Sequence, residues 1–148
     1  MRLASLFLLL ALVSCGEPDL VDCTKLNTAE TLSCMERNEA QGEPAMLLAC
    51  LPFSSPEKIK GVWILGFEKN DFFAGEWPDE PPPVGRVSHT EVVVSKERLE
   101  RLRSSAPYDA LWVELTGRRS LCRFTGLTPH LIVADNLEVR RRASVVAR

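Results

Sequence analysis

The chain has 148 residues, of which 45% are hydrophobic, and its formal net charge is −2. This length suits a single domain that buries a hydrophobic core. The charge is uneven, because residues 15–85 carry 13 acidic and 5 basic side chains whereas residues 86–148 carry 7 acidic and 12 basic ones. The basic side chains are spread over a helix, a turn and a tail, so the sequence predicts no nucleic-acid binding.

The first residues have the pattern of a secretion signal. Arg2 is followed by an uninterrupted run of apolar and small residues over 3–13. This run is about half the roughly 20 residues that a membrane-spanning helix needs. We therefore interpret residues 1–14 as a signal peptide rather than a transmembrane helix.

The end of this run, Leu12-Val13-Ser14-Cys15, resembles the lipobox of bacterial lipoproteins. The resemblance implies cleavage after Ser14 and lipidation of Cys15, with 15–22 as a tether to the membrane. Gly16 stands where an aspartate would resemble an inner-membrane retention signal, so the expected location is the outer membrane, facing the periplasm. The alternative is a plain secretory signal with Cys15 as an ordinary thiol.

Four further cysteines remain once Cys15 is assigned to lipid: Cys23, Cys34, Cys50 and Cys122. An even number in an oxidising compartment predicts two disulfides, although four cysteines allow three connectivities. We favour Cys34 with Cys50, and Cys23 with Cys122. A metal site combining these thiolates with His89 or His130 is the alternative, but the chain has no C-x-x-C pair and its spacings match no zinc pattern.

Residues 23–56 are expected to form a short helical hairpin. Asn27 is placed to cap the first helix, with Leu32 and Met35 on its apolar stripe and Gly42 at its end. Pro44 suits the first turn of a second helix. Neither helix is long enough to be stable alone in water, so a disulfide between them makes physical sense.

Residues 57–148 are expected to form a small, mostly antiparallel barrel, which makes the chain an α+β protein. An acidic, proline-rich loop is predicted at 76–84 because proline cannot occupy a central strand. Residues 117–119 read as the turn of a hairpin, and residues 140–142 as a fraying tail. The predicted strands and helix are strands at 61–67, 86–94, 110–116, 120–125 and 131–141, and a helix at 96–105 capped by Ser95.

Three stretches of this second part resemble a group of small uncharacterised bacterial lipoproteins: G-V-W-I-L-G-F-E-x-x-x-F from Gly61, W-V-E-L from Trp112 and H-L-I-V from His130. The resemblance implies an OB-like barrel and brings no known activity. The chain departs from the group's pattern, since Lys69-Asn70-Asp71 replaces a serine context and Thr128-Pro129 replaces a glycine before His130.

No catalytic, metal or cofactor motif is present. The chain lacks G-x-S-x-G, H-E-x-x-H, a P-loop and G-x-G-x-x-G, so no catalytic residue, metal or cofactor is predicted. Glu68 and Asp71 could form an acid–base pair or a weak cation site, but turn chemistry accounts for them adequately. His89 is expected to be a surface or structurally bonded histidine, and His130, which opens the last strand, is a possible binding residue.

The tryptophans supply the remaining candidates. Trp63 is expected in the core, and Trp112 at the barrel surface, where an aromatic ring helps to form a ligand face. Trp77 lies among acids and prolines and is either an exposed interface anchor or a lid folded over a barrel end.

These features favour a non-enzymatic, lipid-anchored binding or accessory protein of the envelope, which contacts an envelope protein or polymer through Trp77 and Trp112. The first alternative is a small hydrolase of envelope polymers using Glu68, Asp71 or His130. The second is a structural lipoprotein that links the membrane to the wall.

Overall fold

The structure is a computed structural model that describes residues 21–22, 26, 28–66, 69–104, 106–123 and 130–145. It confirms the predicted α+β class, with a helical hairpin followed by a barrel-like sheet. The predicted signal sequence, Cys15, Cys23 and Glu68 lie outside the described residues. No described helix is long and apolar enough to cross a membrane.

The helical hairpin consists of α1 (Ala29–Asn38), a 3-10 turn (Glu39–Gln41) and α2 (Glu43–Cys50). The cap of α1 is Thr28, whose side chain accepts a hydrogen bond from the backbone N–H of Thr31, so the prediction that Asn27 caps this helix is wrong. Gly42 ends the 3-10 turn with a φ of 87°, a conformation that glycine adopts without steric cost. The predicted proline lies in the first turn of α2.

The predicted Cys34–Cys50 disulfide is confirmed, with 5.7 Å between the two Cα atoms. Asn38 supports it, because its Nδ2 donates to the carbonyl of Cys34 at 2.8 Å. Cys122 is also disulfide-bonded, and its partner lies outside the described residues. The pairing of Cys122 with Cys23 therefore remains a prediction.

Five strands form the main sheet, in the order β3-β2-β5-β7-β4, and two short strands, β1 and β6, form a separate parallel pair. One helix, α3, lies between β4 and β5. The bounds are β1 (Val21–Asp22), β2 (Glu57–Gly66), β3 (Lys69–Ala74), β4 (Thr90–Val93), α3 (Lys96–Leu102), β5 (Tyr108–Arg119), β6 (Cys122–Arg123) and β7 (His130–Ser144).

The pairing of these strands is OB-like. The first barrel strand, β2, pairs antiparallel with β3 and β5, β5 pairs antiparallel with β7, and β7 pairs in parallel with β4. With α3 joining the third and fourth barrel strands, this is the Greek-key order of an OB barrel.

The barrel closes between β3 and β4 through side chains rather than a backbone ladder. The Nδ2 atom of Asn70 donates to the carbonyl of Val92 at 3.2 Å, and its Oδ1 atom accepts from the indole of Trp63 at 2.7 Å. The barrel is thus nearly closed, with a seam along β3.

The interior is filled from alternate positions of the strands, as the period-two pattern requires. Trp63 and Phe72 are fully buried there, as predicted for Trp63, and α3 packs Leu99 and Leu102 against the same cluster. On β5 the predicted alternation is confirmed, because its odd-numbered apolar residues (Leu111, Val113, Leu115) face the interior.

Two further clusters cover the outer surface of the barrel. The hairpin packs Leu47 of α2, and Leu51 directly after it, against Val93 and Val133, and Met35 of α1 joins them. Leu32, which was predicted to share that stripe, is instead 50% exposed. The second cluster, on the outer face of β2 and β5, is built from Val62, Ile64, Ala110 and Trp112.

The predicted turn at 117–119 is wrong, because β5 continues through it to Arg119. Gly117 lies at a register shift between β5 and β7, and a Cβ atom there would meet the carbonyl oxygen of Val133 at 2.9 Å. Glycine in this strand therefore marks a close backbone approach rather than a turn.

Three other predicted elements are also corrected. In the described part of the predicted strand at 120–125, residues 120–123, there is no hairpin partner of β5, since β6 pairs with β1 instead. Residues 86–89 belong to a loop, and the strand begins at Thr90. Residues 140–142 lie within β7, where Arg140 pairs with Glu114 at 3.1 Å, so the expected fraying tail is absent from this part of the chain.

Candidate functional site

The candidate site is built around the loop that joins β3 to β4, residues 75–89, which we call the proline-rich loop. It contains no helix or strand, as predicted for 76–84. Its prolines cannot donate to a sheet ladder, and Gly75 begins it with a φ of 137°. Its backbone path is instead fixed by bonds to the barrel wall.

Trp77 is both fixed and exposed. Its Nε1 atom donates to the carbonyl of Val113 at 3.3 Å, while 37% of the residue remains accessible to solvent. The ammonium of Lys60 lies 5.8 Å from the ring centroid. Trp77 thus lies against the outer wall of β2 and β5, and its exposed part remains available for contact.

Trp112 also holds this loop against the outer face of the barrel. It faces outward, but it is only 2% exposed, because its Nε1 atom donates to the carbonyl of Pro78 at 2.8 Å and the guanidinium of Arg141 lies 4.4 Å from its ring centroid. The ring on which a ligand was expected to stack is therefore covered, and its role in the site is to hold the loop.

The other end of the loop is held by Ser88. Its backbone N–H donates to Oδ1 of Asp71 at 3.0 Å, and its hydroxyl donates to the carbonyl of Phe72. The other oxygen of Asp71 pairs with Lys69 at 3.1 Å. Both ends of the loop are therefore bonded to barrel strands.

Between the loop and the wall lies a cleft of about 450 Å³. Its lining is mixed, with apolar contributions from Val62, Phe73, Pro78 and Pro82. This volume lies within the range of about 300 to 1,000 Å³ typical of small-molecule sites.

Two opposite charges line the cleft, Glu76 and Arg86. The guanidinium carbon of Arg86 lies 5.2 Å from the centroid of the Phe73 ring, which is the geometry of a cation–π contact. Within the described part of the chain, neither charge is in an ion pair.

Val87 lies at the rim of this cleft and is 64% exposed. Together with Trp77 it gives the loop two large apolar side chains in contact with solvent. Phe73, Arg86 and Val87 are not among the predicted site residues, because the first two meet only once the loop folds back over β3.

The structure brings the two histidines together. His130 opens β7, and its backbone N–H donates to the carbonyl of His89 at 3.2 Å, next to the parallel pair of Thr90 with His130. His89 is exposed and His130 is half-buried. Neither histidine lines the cleft, although Ser88 and Thr90, the chain neighbours of His89, both do.

The residues predicted as a possible acid–base pair or cation site, Glu68 and Asp71, are of types that can bind a metal ion. The described residues contain no group of three or more His, Cys, Asp or Glu side chains placed to hold a metal ion. Both oxygens of Asp71 have partners, as described above, and Glu68 lies outside the described residues.

A second polar feature lies at the end of α3, where the buried Asp109 borders a cavity of about 220 Å³. Its Oδ2 atom accepts from the backbone N–H of Ser104 at 3.2 Å and lies 4.0 Å from Arg142. Its Oδ1 atom meets no hydrogen-bond partner among the described residues and is itself inaccessible to solvent. Through Oδ2, Asp109 links β5 to Ser104, just after α3, so Asp109 has a structural role.

Comparisons of the chain with protein-family models, with curated proteins and with solved structures find no significant match.

Proposed function

We propose that this protein is a non-enzymatic binding or accessory lipoprotein of the cell envelope, which contacts its partner through the proline-rich loop and the cleft beneath it. The partner class is an envelope protein or polymer. Anchoring at Cys15, in the outer membrane and facing the periplasm, is part of the proposal.

The location rests on the sequence L-V-S-C at Leu12–Cys15 and on the cysteine chemistry. Disulfides persist in oxidising compartments such as the periplasm and are rare in the cytosol. The Cys34–Cys50 bridge and the disulfide-bonded state of Cys122 support an extracytoplasmic domain.

The binding role rests on one observation, a loop that is bonded to the barrel at both ends and still exposes Trp77 and Val87. A loop fixed in one conformation loses little entropy when a partner binds. Exposed aromatic side chains in such positions are frequent anchors of protein interfaces. The loop therefore has the properties of a preformed contact surface.

The position of the helical hairpin favours a short contact region over an extended one, because the hairpin covers part of the face that OB barrels typically use. OB barrels typically bind extended oligomers across the face of their second and third strands, here β3 and β4. The outer face of β4 is covered at Val93 by Leu47 and Leu51 of the hairpin. The part of that face beside β3, under the loop, remains open as the cleft.

The hydrolase alternative receives no comparable support. Asp71 is bonded to Lys69 and to the backbone of Ser88, which holds the loop in place. The backbone N–H of His130 donates to the carbonyl of His89, and His130 does not line the cleft. We therefore retain binding as the proposed function.

The test is a crosslinking capture from intact envelopes with full-length tagged protein carrying Val87→Asp, Trp77→Ala or Leu32→Asp. Val87 and Leu32 are both exposed apolar residues, but only Val87 lies on the loop. We expect Val87→Asp and Trp77→Ala to lose a partner that the wild type and Leu32→Asp capture equally. Equal capture by all variants would refute the loop as the contact surface.

A further inference from the structure

The cleft carries two opposite charges that an apolar contact surface alone does not need. Of the described residues that line it, Glu76 is the one anion and Arg86 the one cation. They line the same cleft without pairing within 4.0 Å, beside apolar side chains such as Val62 and Phe73.

Arg86 is held in a geometry suited to carboxylate recognition. Its guanidinium carbon lies over the Phe73 ring, and its N–H donors form no ion pair with a described acidic residue. A planar guanidinium donates two parallel hydrogen bonds to a carboxylate, and an aromatic platform limits the freedom that this bond would otherwise cost. Arg86 is therefore placed to bind a carboxylate that enters the cleft.

Glu76 offers the complementary group. A carboxylate only accepts hydrogen bonds, so its natural partners in a ligand are ammonium, amide or hydroxyl donors. It also disfavours ligands that carry several negative charges, and the neighbouring Asp79 and Glu80 add to that repulsion. A polyanion is thus a poor fit, whereas one carboxylate together with a donor group is a good one.

We infer that the cleft is a binding site for a small zwitterionic ligand, a short peptide with a free ammonium and a free carboxylate. Its carboxylate binds Arg86, its ammonium binds Glu76, and its side chains contact Val62, Phe73 and the prolines. This inference rests on the proposed function, because it names the ligand class of the same site.

The test uses the dipeptide Leu-Leu as the probe, together with its N-acetyl and C-amide forms, titrated into full-length protein in detergent micelles. The NMR chemical shift of the Trp77 indole N–H reports binding beside the cleft. The dipeptide is added up to about 10 mM, a concentration at which a ligand with a Kd of about 1 mM is mostly bound. We expect acetylation and amidation each to weaken binding by at least about fivefold, since each removes a charge-assisted hydrogen bond.

Two variants assign each end of the ligand. Arg86→Gln should weaken the binding of Leu-Leu, and amidation should then cause no further loss of affinity, whereas acetylation still should. Glu76→Gln should also weaken the binding of Leu-Leu, but here acetylation should cause no further loss, whereas amidation still should. Glu100→Gln and Arg101→Gln on the exposed side of α3 are the matched controls and should leave the effects of amidation and acetylation unchanged. Arg86→Lys, which keeps the charge but loses the planar fork, should bind with intermediate strength.

Absence of any shift at 10 mM, or equal affinity for the three forms of the dipeptide, would overturn the zwitterion site. If partner capture still depended on Val87 in that case, the proposed binding function would stand and only this ligand class would be lost. If the dipeptide bound as expected but partner capture did not depend on Val87, the site would stand and the interface would fail.

Discussion

The helical hairpin and the proline-rich loop lie on the outer surface of the same barrel, but different interactions hold them there. The hairpin relies on a covalent bridge and on apolar packing against Val93 and Val133. The loop relies on two indole hydrogen bonds, a buried carboxylate and cation–π contacts. The hairpin therefore seals the surface it covers, whereas the loop leaves an open cleft beneath it.

The difference has a physical cause in the composition of the two segments. Side chains from α2 fill the space between the hairpin and the sheet. In the loop, prolines and acids supply few side chains that can fill that space, so its polar backbone is fastened at a few points instead. A surface held at points can be both rigid and accessible, which is what a binding site requires.

The largest effect is expected from removing the hairpin's covalent bridge with Cys34→Ala and Cys50→Ala together. A disulfide that closes a loop of this separation, 16 residues, contributes about 3 kcal/mol in the chain-entropy model. Because α1 buries no residue fully, it should lose most of its protection in amide hydrogen exchange.

The control for the bridge is Leu32→Ala, an exposed position on the same helix. It should change stability by less than about 0.5 kcal/mol. If the double cysteine variant kept full protection in α1, packing alone would hold the hairpin and the contrast with the loop would fail.

A smaller effect is expected from Trp112→Phe, which removes the indole bond to the carbonyl of Pro78 and reduces the packed volume. We expect a loss of about 1–3 kcal/mol in the free energy of unfolding and faster amide exchange within residues 75–89. The matched variant is Trp63→Phe, which removes an interior indole bond to Asn70. It should destabilise the barrel without a selective effect on the loop. Similar amide exchange within residues 75–89 in both variants would show that Trp112 does not hold the loop in place.

The smallest effect is expected at α3, whose N-terminus is stabilised by the capping side chain of Ser95 rather than by a disulfide. Hydrogen bonding to its own backbone N–H, and then to the Ser95 side chain, lowers the pKa of Glu97 below its ordinary value. A lowered carboxyl pKa adds stability above the pKa of the unfolded chain and loses it as the pH falls through the folded value.

An NMR titration of the Glu97 carboxyl carbon tests this. Ser95→Ala should raise its pKa toward the ordinary value, and it should remove the N-cap bond to the backbone N–H of Arg98. An unchanged pKa in Ser95→Ala would show that the side-chain bond does not matter there.

The features that local patterns predict correctly are those decided within a few residues. The α+β class and the burial of alternate β5 residues follow from capping, breaker residues and period-two hydrophobicity, whereas Gly42 ends the 3-10 turn that follows α1 rather than α1 itself. The Cys34–Cys50 bridge follows because two short helices need a link.

The features that were predicted wrongly depend on distant partners. Gly117 reads as a turn locally, but it is needed in a strand because Val133 approaches it closely. Residues 140–142 read as a tail, but Arg140 is neutralised by Glu114, which is 26 residues away in sequence.

The candidate site was predicted only in part, for the same reason. Trp77 and the proline-rich loop stand out in the sequence, since an aromatic residue among acids and prolines is unusual. The burial of Trp112 depends on the carbonyl of Pro78, 34 residues away in sequence, and the stacking of Arg86 on Phe73 depends on the fold of the loop. Neither contact leaves a local pattern.

The most direct test of the central claim is site-specific photocrosslinking in living cells, with the photoreactive residue placed at Val87 in one strain and at Leu32 in another. Both positions are exposed, so both probes can reach neighbouring molecules. We predict a discrete crosslinked product from position 87 that is absent from position 32. A product from position 32 alone, or identical products from both, would contradict the assignment of the proline-rich loop as the contact surface.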